Sequence, residues 1–332
     1  MVCVIIINYN GSSDTLECLR ALERQTFKEF EVILIDNGSL DDSVFQINDF
    51  LKNNPLSSAV RFVSLESNRG FAGGNAEGMK HATGRYVALL NNDAMPDKAW
   101  LEELVTRMEN DSEVGICASK LVQYDSSFID SAGDGYATVL KGFKIGEGKV
   151  ANNFVEQKYV FGACAGAALY RREMLEQIGF LDTDFFLIYE DTDLNFRAQL
   201  AGWKALYAPN AVVYHKVRAS IGIMSEIAVY YSLRNSELVR MKAVPLEIFL
   251  RCLPEVLIDS IAEFIYFAVK HRRFKLFFKA KTDAIRMLPS MLRKRRMIMK
   301  TKKVSNSYLI SIMTPARQKD FFKAKLGKFL HG

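Results

Sequence analysis

Proline is scarce, with 7 in 332 residues, and the 20 glycines follow no fixed period, which excludes collagen-like and proline-rich extended architectures. The five cysteines, Cys3, Cys18, Cys117, Cys164 and Cys252, are scattered, odd in number and never in CxxC spacing. Neither a disulfide framework nor a zinc knuckle is encoded, and a reducing compartment fits. A long apolar run is missing too. A membrane span needs about 20 mostly apolar residues, and the most apolar stretch, 247–270, is broken by Glu247, Arg251, Glu255, Asp259 and Glu263. Residues 2–7 are apolar but too short for a signal-peptide core and follow no basic residue, so they read as a buried strand of a cytoplasmic protein. What is present is ordinary: 49% hydrophobic and 25% charged residues exclude disorder. The length suits two folded units at roughly 100–200 residues each.

Charge is divided unevenly. Residues 1–227 hold 21 basic against 31 acidic side chains, and residues 228–332 hold 23 against 7. The acidic part suits a bound cation, and the basic tail an anionic surface.

Residues 2–8, 31–36, 61–65 and 85–90 are short apolar runs, each followed by a polar loop and an amphipathic stretch. Four such repeats predict an α/β fold, a mostly parallel twisted sheet with right-handed crossovers and flanking helices. Ser13 or Asp14 is expected to cap the first helix. Residues 68–74 are expected to form a glycine-rich loop before a helix ending near residue 82.

Ligands of such sheets sit beyond the carboxyl ends of the strands. The loops at 8–10, 36–39, 67–75 and 91–93 are all polar and fall there, which predicts a pocket. The Asp36 carboxylate can accept hydrogen bonds from a base N–H or ribose hydroxyls, or cap the next helix. Asn68-Arg69-Gly70-Phe71-Ala72-Gly73-Gly74-Asn75 is not GxGxxG and no Walker Lys follows, so dinucleotide and P-loop readings lose support. Its glycines still permit close backbone approach, and the helix start favours anions. Asn91-Asn92-Asp93 offers oxygen without sulfur, which suits Mg²⁺ or Mn²⁺ held by one carboxylate, water and a diphosphate. A loop-capping carboxylate is the alternative.

Read together with Tyr189-Glu190-Asp191-Thr192-Asp193-Leu194, these segments resemble the family 2 inverting glycosyltransferases from the start of the chain to about residue 220. The Gly-Phe-Ala-Gly-Gly-Asn loop, with Asn-Asp in place of a full DXD, is most similar to rhamnosyltransferases and related cell-surface glycan enzymes. The resemblance implies a GT-A (Rossmann-like) fold, with residues 1–110 binding a nucleotide-diphosphate sugar and 111–227 binding the acceptor and carrying the catalysis. It implies a dTDP- or UDP-sugar donor, a saccharide acceptor and a divalent metal. By position it assigns Asp36 to the nucleotide base, Asn68 and Gly70 to its pocket, Asn8, Asn10 and Asn92 to the substrate site, and Asp93 to the metal. Asn91 stands where the pattern usually has an acid, which leaves the cation dependent on Asp93 and the diphosphate.

Acids at a helix start are ordinarily caps or dipole partners, but the matching motif makes Asp191 the general base. Inversion by single displacement, through a transition state with oxocarbenium character, then needs no covalent intermediate. Glu190 and Asp193 are expected to shape the base or touch the acceptor. His215, after the apolar run 211–214, is expected at the metal or diphosphate, and Lys216, Arg218 and Ser220 at phosphates. Gly162, in the small-residue run 162–166, is expected to face substrate, whereas 167–169 reads as core. Trp203 either stacks on a sugar or packs between a helix and a strand.

In 247–263 charges recur every fourth position, with Ile248, Leu253, Leu257, Ile261, Phe264 and Ala268 in the other sector, and Pro254 is expected to divide two helices. Residues 270–303 carry 14 basic side chains against the single acid Asp283, interleaved with Phe274, Phe277, Phe278, Ile285, Leu288 and Leu292. The C-terminal helical extension, 228–332, therefore reads as a basic amphipathic region that attaches the enzyme peripherally to an anionic membrane, on its inner face, near a lipid-linked acceptor. A helical subdomain or dimer contact with a solvated basic face is the alternative. Nucleic acid is not expected, because no recognition motif accompanies the charge. Two rival functions stand beside the transferase: a sugar-phosphate nucleotidyltransferase, and a non-catalytic scaffold that binds a nucleotide sugar or a membrane.

Overall fold

The computed structural model describes residues 1–54, 58–217 and 224–316. The expected repeats open the chain. β1 (Val2–Asn8) leads to α1 (Ser12–Glu23), β2 (Phe30–Asp36) to α2 (Ser43–Asn53), and β3 (Ala59–Ser64) to α3 (Gly70–Met79). β4 (Tyr86–Asn91) passes through the short β5 (Ala94–Pro96) to α4 (Trp100–Asn110). Then come β6 (Val114–Gln123), β7 (Ile129–Ser131), β8 (Asp134–Ala137), β9 (Lys141–Lys144), β10 (Lys158–Val160), β11 (Ala167–Arg171), α5 (Arg172–Ile178), α6 (Glu190–Leu200) and β12 (Lys204–His215). Helices close the chain: α7 (Glu226–Lys242), α8 (Leu246–Glu263) running on into a π-helical stretch (Phe264–Lys270), α9 (Phe274–Arg286), α10 (Leu288–Lys300) and α11 (Asn306–Ile312).

One central sheet has the order β10-β12-β6-β11-β4-β1-β2-β3. Strands β3, β2, β1 and β4 are mutually parallel, as are β6 and β12, whereas β11 lies antiparallel between β4 and β6. The pleat of β1 divides its side chains between two cores. Val2, Val4 and Ile6 meet Leu19 and Leu22 of α1 and Leu101 and Leu104 of α4 on one face. Cys3 and Ile5 join the cluster of Ala72, Met174, Leu175 and Leu194 on the other.

Two local expectations are corrected here. The glycines at 73 and 74 lie inside α3 rather than in a loop, because a bare helix face lets α3 press on β1. A Cβ on Gly78 would stand 2.5 Å from Cγ2 of Ile5, and one on Gly74 3.2 Å from Ile7. The N-cap of α1 is Gly11, with Ser13 and Asp14 already in the first turn.

The C-terminal helices share a core with the sheet domain: Leu238, Ile248, Cys252, Met291 and Leu309 pack with Phe196, Leu200, Tyr136 and Phe161. Pro254 does not divide α8, which runs through it; the proline sits on the exposed side, so the lost i→i−4 bond falls away from the packed face. Among the described residues, no helix is long and apolar enough to cross a membrane.

Gly78→Val should destabilise the protein by about 1–3 kcal/mol through overpacking against Ile5, read as a lower urea midpoint at unchanged slope.

Candidate active site

The carboxyl ends of β1 and β2 are knotted together by polar side chains. Asn8 Nδ2 donates to Oδ1 of Asp36 (2.7 Å) and to the Ser39 hydroxyl (3.1 Å), while its Oδ1 accepts from Thr15 (2.8 Å). Asp36 also accepts from the backbone N–H of Ser39 at 3.0 Å and from its hydroxyl at 2.5 Å. Both Asp36 oxygens are thus engaged and the residue is fully buried. Both oxygens brace the loop that follows β2. Asn10 adopts φ 51°, a left-handed conformation that asparagine tolerates, and its Oδ1 accepts from the N–H of Leu40.

Asn68 organises the next loop. Its Oδ1 accepts from Gly70 N–H (2.8 Å) and from Asn37 Nδ2 (3.1 Å). Gly70 has φ +71°, and a Cβ there would lie 2.4 Å from the Phe186 carbonyl oxygen, so only glycine fits. That carbonyl also accepts the Ala72 N–H, which takes up one of the free donors at the start of α3.

At the end of β4, Asn91, Asn92 and Asp93 turn in different directions. Asn92 Nδ2 donates to Thr15 Oγ1 (3.1 Å) and to the Gly11 carbonyl (3.3 Å). Asn91 Nδ2 lies 3.2 Å from Nε2 of His215, and Asp93 Oδ1 lies 3.1 Å from the same nitrogen. His215, at the end of β12, is therefore brought to Asp93 as expected. Its Nδ1 lies 2.9 Å from Asp130 Oδ2, and Lys144 Nζ donates to the other Asp130 oxygen at 2.7 Å. Burial alone would lower the His215 pKa, but its hydrogen bonds to Asp130 and Asp93 raise it to about 9. Burial alone would raise Asp130, but the His215 hydrogen bond and the Lys144 ammonium hold it at about 2. A cation taking Nε2 would displace the proton held there in its absence.

These residues bear on the expected cation. Among the described residues, no three His, Cys, Asp or Glu side chains converge as a ready metal cage. Asp93 and His215 together offer one hard oxygen and one imidazole nitrogen, and Asp130 fixes the ring so that Nε2 faces Asp93. That donor pair fits partial coordination of Mg²⁺ or Mn²⁺, the remaining positions falling to water and a diphosphate.

Asp191 lies in the first turn of α6, whose entry is strained: Phe186, Ile188 and Tyr189 all have positive φ, at 63°, 65° and 74°. Two neighbouring side chains of α7 hold this entry in place, and Arg234 donates to the carbonyls of Asp184 (2.7 Å) and Phe185 (3.1 Å). Buried Asn235 of α7 donates to the carbonyls of Phe185 (2.8 Å), Leu187 (2.8 Å) and Ile188 (2.6 Å). Asp191 Oδ1 accepts the Thr192 N–H at 2.6 Å, and Oδ2 accepts the Ala165 N–H at 3.3 Å. The residue after Ala165, Gly166, accepts the Asn91 N–H at 2.8 Å. Asp191 is therefore separated from the Asn91–Asp93 loop by a single peptide step, on the same edge of the sheet. Burial raises the Asp191 pKa, and the Ala165 and Thr192 N–H groups limit the rise. Glu190 is pushed well up by burial and by the adjacent Asp191, and among the described residues its Oε2 has no hydrogen-bond partner. Asp134 faces the same group, raised by burial and then by the Asp191 charge.

Other expected site residues serve the scaffold. A Cβ on Gly162 would stand 2.0 Å from Cγ of Asn195, so this glycine admits α6 rather than substrate. Trp203 follows the far end of α6, an eleven-residue helix of roughly 16 Å. Its indole donates to Gln177, so it packs and does not stack on a sugar beside Asp191. Asp193 is buried in ion pairs with Arg197 (2.9 Å) and Lys242 (2.8 Å). Lys216 is held by Asp14 (2.6 Å) and Glu17 (2.9 Å). Arg218 and Ser220 lie outside the described residues. Sequence reasoning missed Asp130, Asp134, Lys144 and Asn235. The only signal for the first two was a pair of acids in the otherwise small and apolar run Ile129-Asp130-Ser131-Ala132-Gly133-Asp134-Gly135.

Solved structures share this architecture. The chain is 17% identical to the mannosyltransferase PcManGT of Pyrobaculum calidifontis, solved with GDP-Man and Mn²⁺, with a TM-score of 0.55 over 99% of this chain and 81% of that one. It is 16% identical to Staphylococcus aureus TarS 1–349, solved with UDP-GlcNAc, with a TM-score of 0.56 over 93% and 92%. The fold is thus the GT-A fold of glycosyltransferases. Residues 3–179 match the model of glycosyl transferase family 2, and the chain belongs to that family. Among curated relatives, the poly-beta-1,6-N-acetyl-D-glucosamine synthase of Staphylococcus epidermidis is 26% identical over 67% of this chain and 51% of its own length. The chain spans about half the length of that relative.

Asp130→Asn should bring the His215 pKa down from about 9, followed by NMR titration of the imidazole in metal-free protein. The stability that the raised histidine contributes is fully present below its unfolded value, roughly 6.5, and is lost as pH rises through about 9; the variant should lose that alkaline dependence. Asn235→Ala leaves the Leu187 and Ile188 carbonyls without this donor, Phe185 keeping Arg234, and should cost about 1–3 kcal/mol of stability by denaturant titration.

Proposed function

We propose that this protein is an inverting glycosyltransferase, moving a sugar from a nucleotide-diphosphate donor to a hydroxyl of a saccharide acceptor. The observation that supports this reading is that Ala165 donates to Asp191 while the next residue, Gly166, accepts from Asn91, so the proposed base and the Asp93 loop meet the same short segment. Asp191 takes the proton from the acceptor hydroxyl as that oxygen attacks the anomeric carbon. The bond from that carbon to the diphosphate oxygen breaks on the opposite face, and its electron pair leaves with the nucleotide diphosphate. Burial lifts the Asp191 pKa toward the working pH, which makes it a stronger base than a solvated aspartate. The two N–H donors at its oxygens orient the carboxylate.

Asp93 and His215 would hold the Mg²⁺ or Mn²⁺, which neutralises charge on the departing diphosphate. Asn8, Asn10, Asn68, Gly70 and Asn92 shape the donor side, and Asp36 acts there through Asn8 and Ser39. A dTDP- or UDP-sugar is the donor to test first, with rhamnose among the sugars. The acceptor we favour is lipid-linked, with the enzyme lying peripherally on the inner face of the cell membrane. Glu190 and Asp134 border the acceptor side of Asp191.

Asp191→Asn should lower kcat by about 10²–10⁴-fold with donor affinity retained, measured by nucleotide release and by calorimetry with the donor. The acid limb of kcat/KM should lie above the ordinary aspartate range, near 4, because the base is raised. Formation of nucleotide sugar from a nucleoside triphosphate would point to a nucleotidyltransferase instead, and donor binding without turnover in wild type to a scaffold.

A further inference from the structure

Helix α8 has two unlike faces. Ile248, Cys252 and Val256 pack inward, and so do two of its acids: Asp259 is 3% exposed and pairs with Lys141 and, at 3.8 Å, with Arg240. Glu263 pairs with Lys141 at 2.5 Å and Lys281 at 3.2 Å. A second set of large apolar side chains points outward. Leu257 is 55%, Ile258 64% and Ile261 61% exposed, and Leu250, Ile265 and Val269 continue the same ridge along the helix. The sequence pattern sets Leu257 and Ile261 in a sector apart from the charges and does not fix which sector meets the core. The two acids face inward because three cations from distant elements, β9, α7 and α9, occupy the inner side and demand carboxylates.

In water this orientation is unfavourable twice over, since it desolvates two carboxylates and exposes a continuous apolar ridge. An apolar medium removes the second penalty. Phe274 and Phe278, exposed at the start of α9, extend the ridge, and Phe264 meets both rings edge-on. Exposed Arg251, Arg272, Lys275 and Lys279 stand around it. We propose that the α8 ridge and the start of α9 are a bilayer-inserting face, lying in the interface of an anionic membrane with the ridge among the acyl chains and these cations among the headgroups. A second copy of the chain fits less well, because pairing two such faces brings like charges together. The proposal rests on the membrane part of the functional reading and relocates the insertion from the basic helices to α8. It needs no turnover to test, so its failure would leave the sugar-transfer chemistry standing.

The full-length protein is sedimented with vesicles of phosphatidylcholine alone and of phosphatidylcholine mixed with phosphatidylglycerol. Wild type should pellet with the mixed vesicles and be released by salt. Leu257→Ser/Ile258→Ser/Ile261→Ser should bind at least about tenfold more weakly, with an unchanged melting temperature. Lys275→Glu/Lys279→Glu should lose roughly 25-fold or more, at about fivefold per cation removed, and much of the salt dependence. Ile258→Trp provides a direct reading should the triple variant fold poorly: its emission should shift to the blue on mixed vesicles. Wild type that stays in the supernatant with both vesicle types, a triple variant that folds and binds like wild type, or an Ile258→Trp emission indifferent to lipid would each overturn the proposal. So would a lipid-free dimer, by sedimentation equilibrium, that the triple variant splits.

Discussion

A strand that runs against its neighbours begins where they end, and the active-site geometry depends on this property of β11. Paired with β4 on one side and β6 on the other, it forces the preceding segment, Cys164 to Gly166, to arrive at the carboxyl end of β4. There Gly166 closes a backbone hydrogen bond with Asn91, and Ala165 reaches Asp191. Were β11 parallel, the same segment would emerge at the other edge, about 16 Å away for five residues. The base and the Asp93 loop would then share nothing.

This arrangement explains which parts were legible in the sequence. The parallel half was, because β1, β2 and β4 are continuous apolar runs and the polar residues stand directly at their ends. Asp93, His215 and Asp191 were found through motif order, and the structure brings all three to one edge. Strand direction leaves no mark on periodicity, so the placement of β11 was not readable. Asp130, Asp134 and Lys144 sit on strands of three or four residues, too short to carry a pattern. Asn235 lies within a helix whose polar residues face inward. For Trp203 the packing alternative and for Gly162 the close approach of Asn195 depend on α5, β6 and α6, not on neighbours in sequence. Which sector of α8 meets the core depends likewise on distant elements.

The uneven charge of the two halves turns out to be answered in part within the chain. Lys242 pairs with Asp182 and Asp193, and Lys294 with Asp182 and Asp184. Such buried pairs add little net stability against well-packed apolar residues. They do fix registry, since losing either partner strands a charge in a place that water does not reach. The basic tail is therefore first a set of counter-charges that seats α7 and α10 on the sheet domain, and only its outward remainder is available to an external anion.

The clamp of Asn235 on three loop carbonyls carries a lesson for recombination. The carboxylate at 191 follows a loop whose backbone is braced by a side chain 44 positions downstream. A hybrid enzyme that borrowed a foreign acceptor half but kept its native tail, or the converse, would inherit a base with no matching clamp. The smallest exchangeable block runs from β6 through α7, and grafts cut inside that span are expected to yield folded but poorly aligned hybrids.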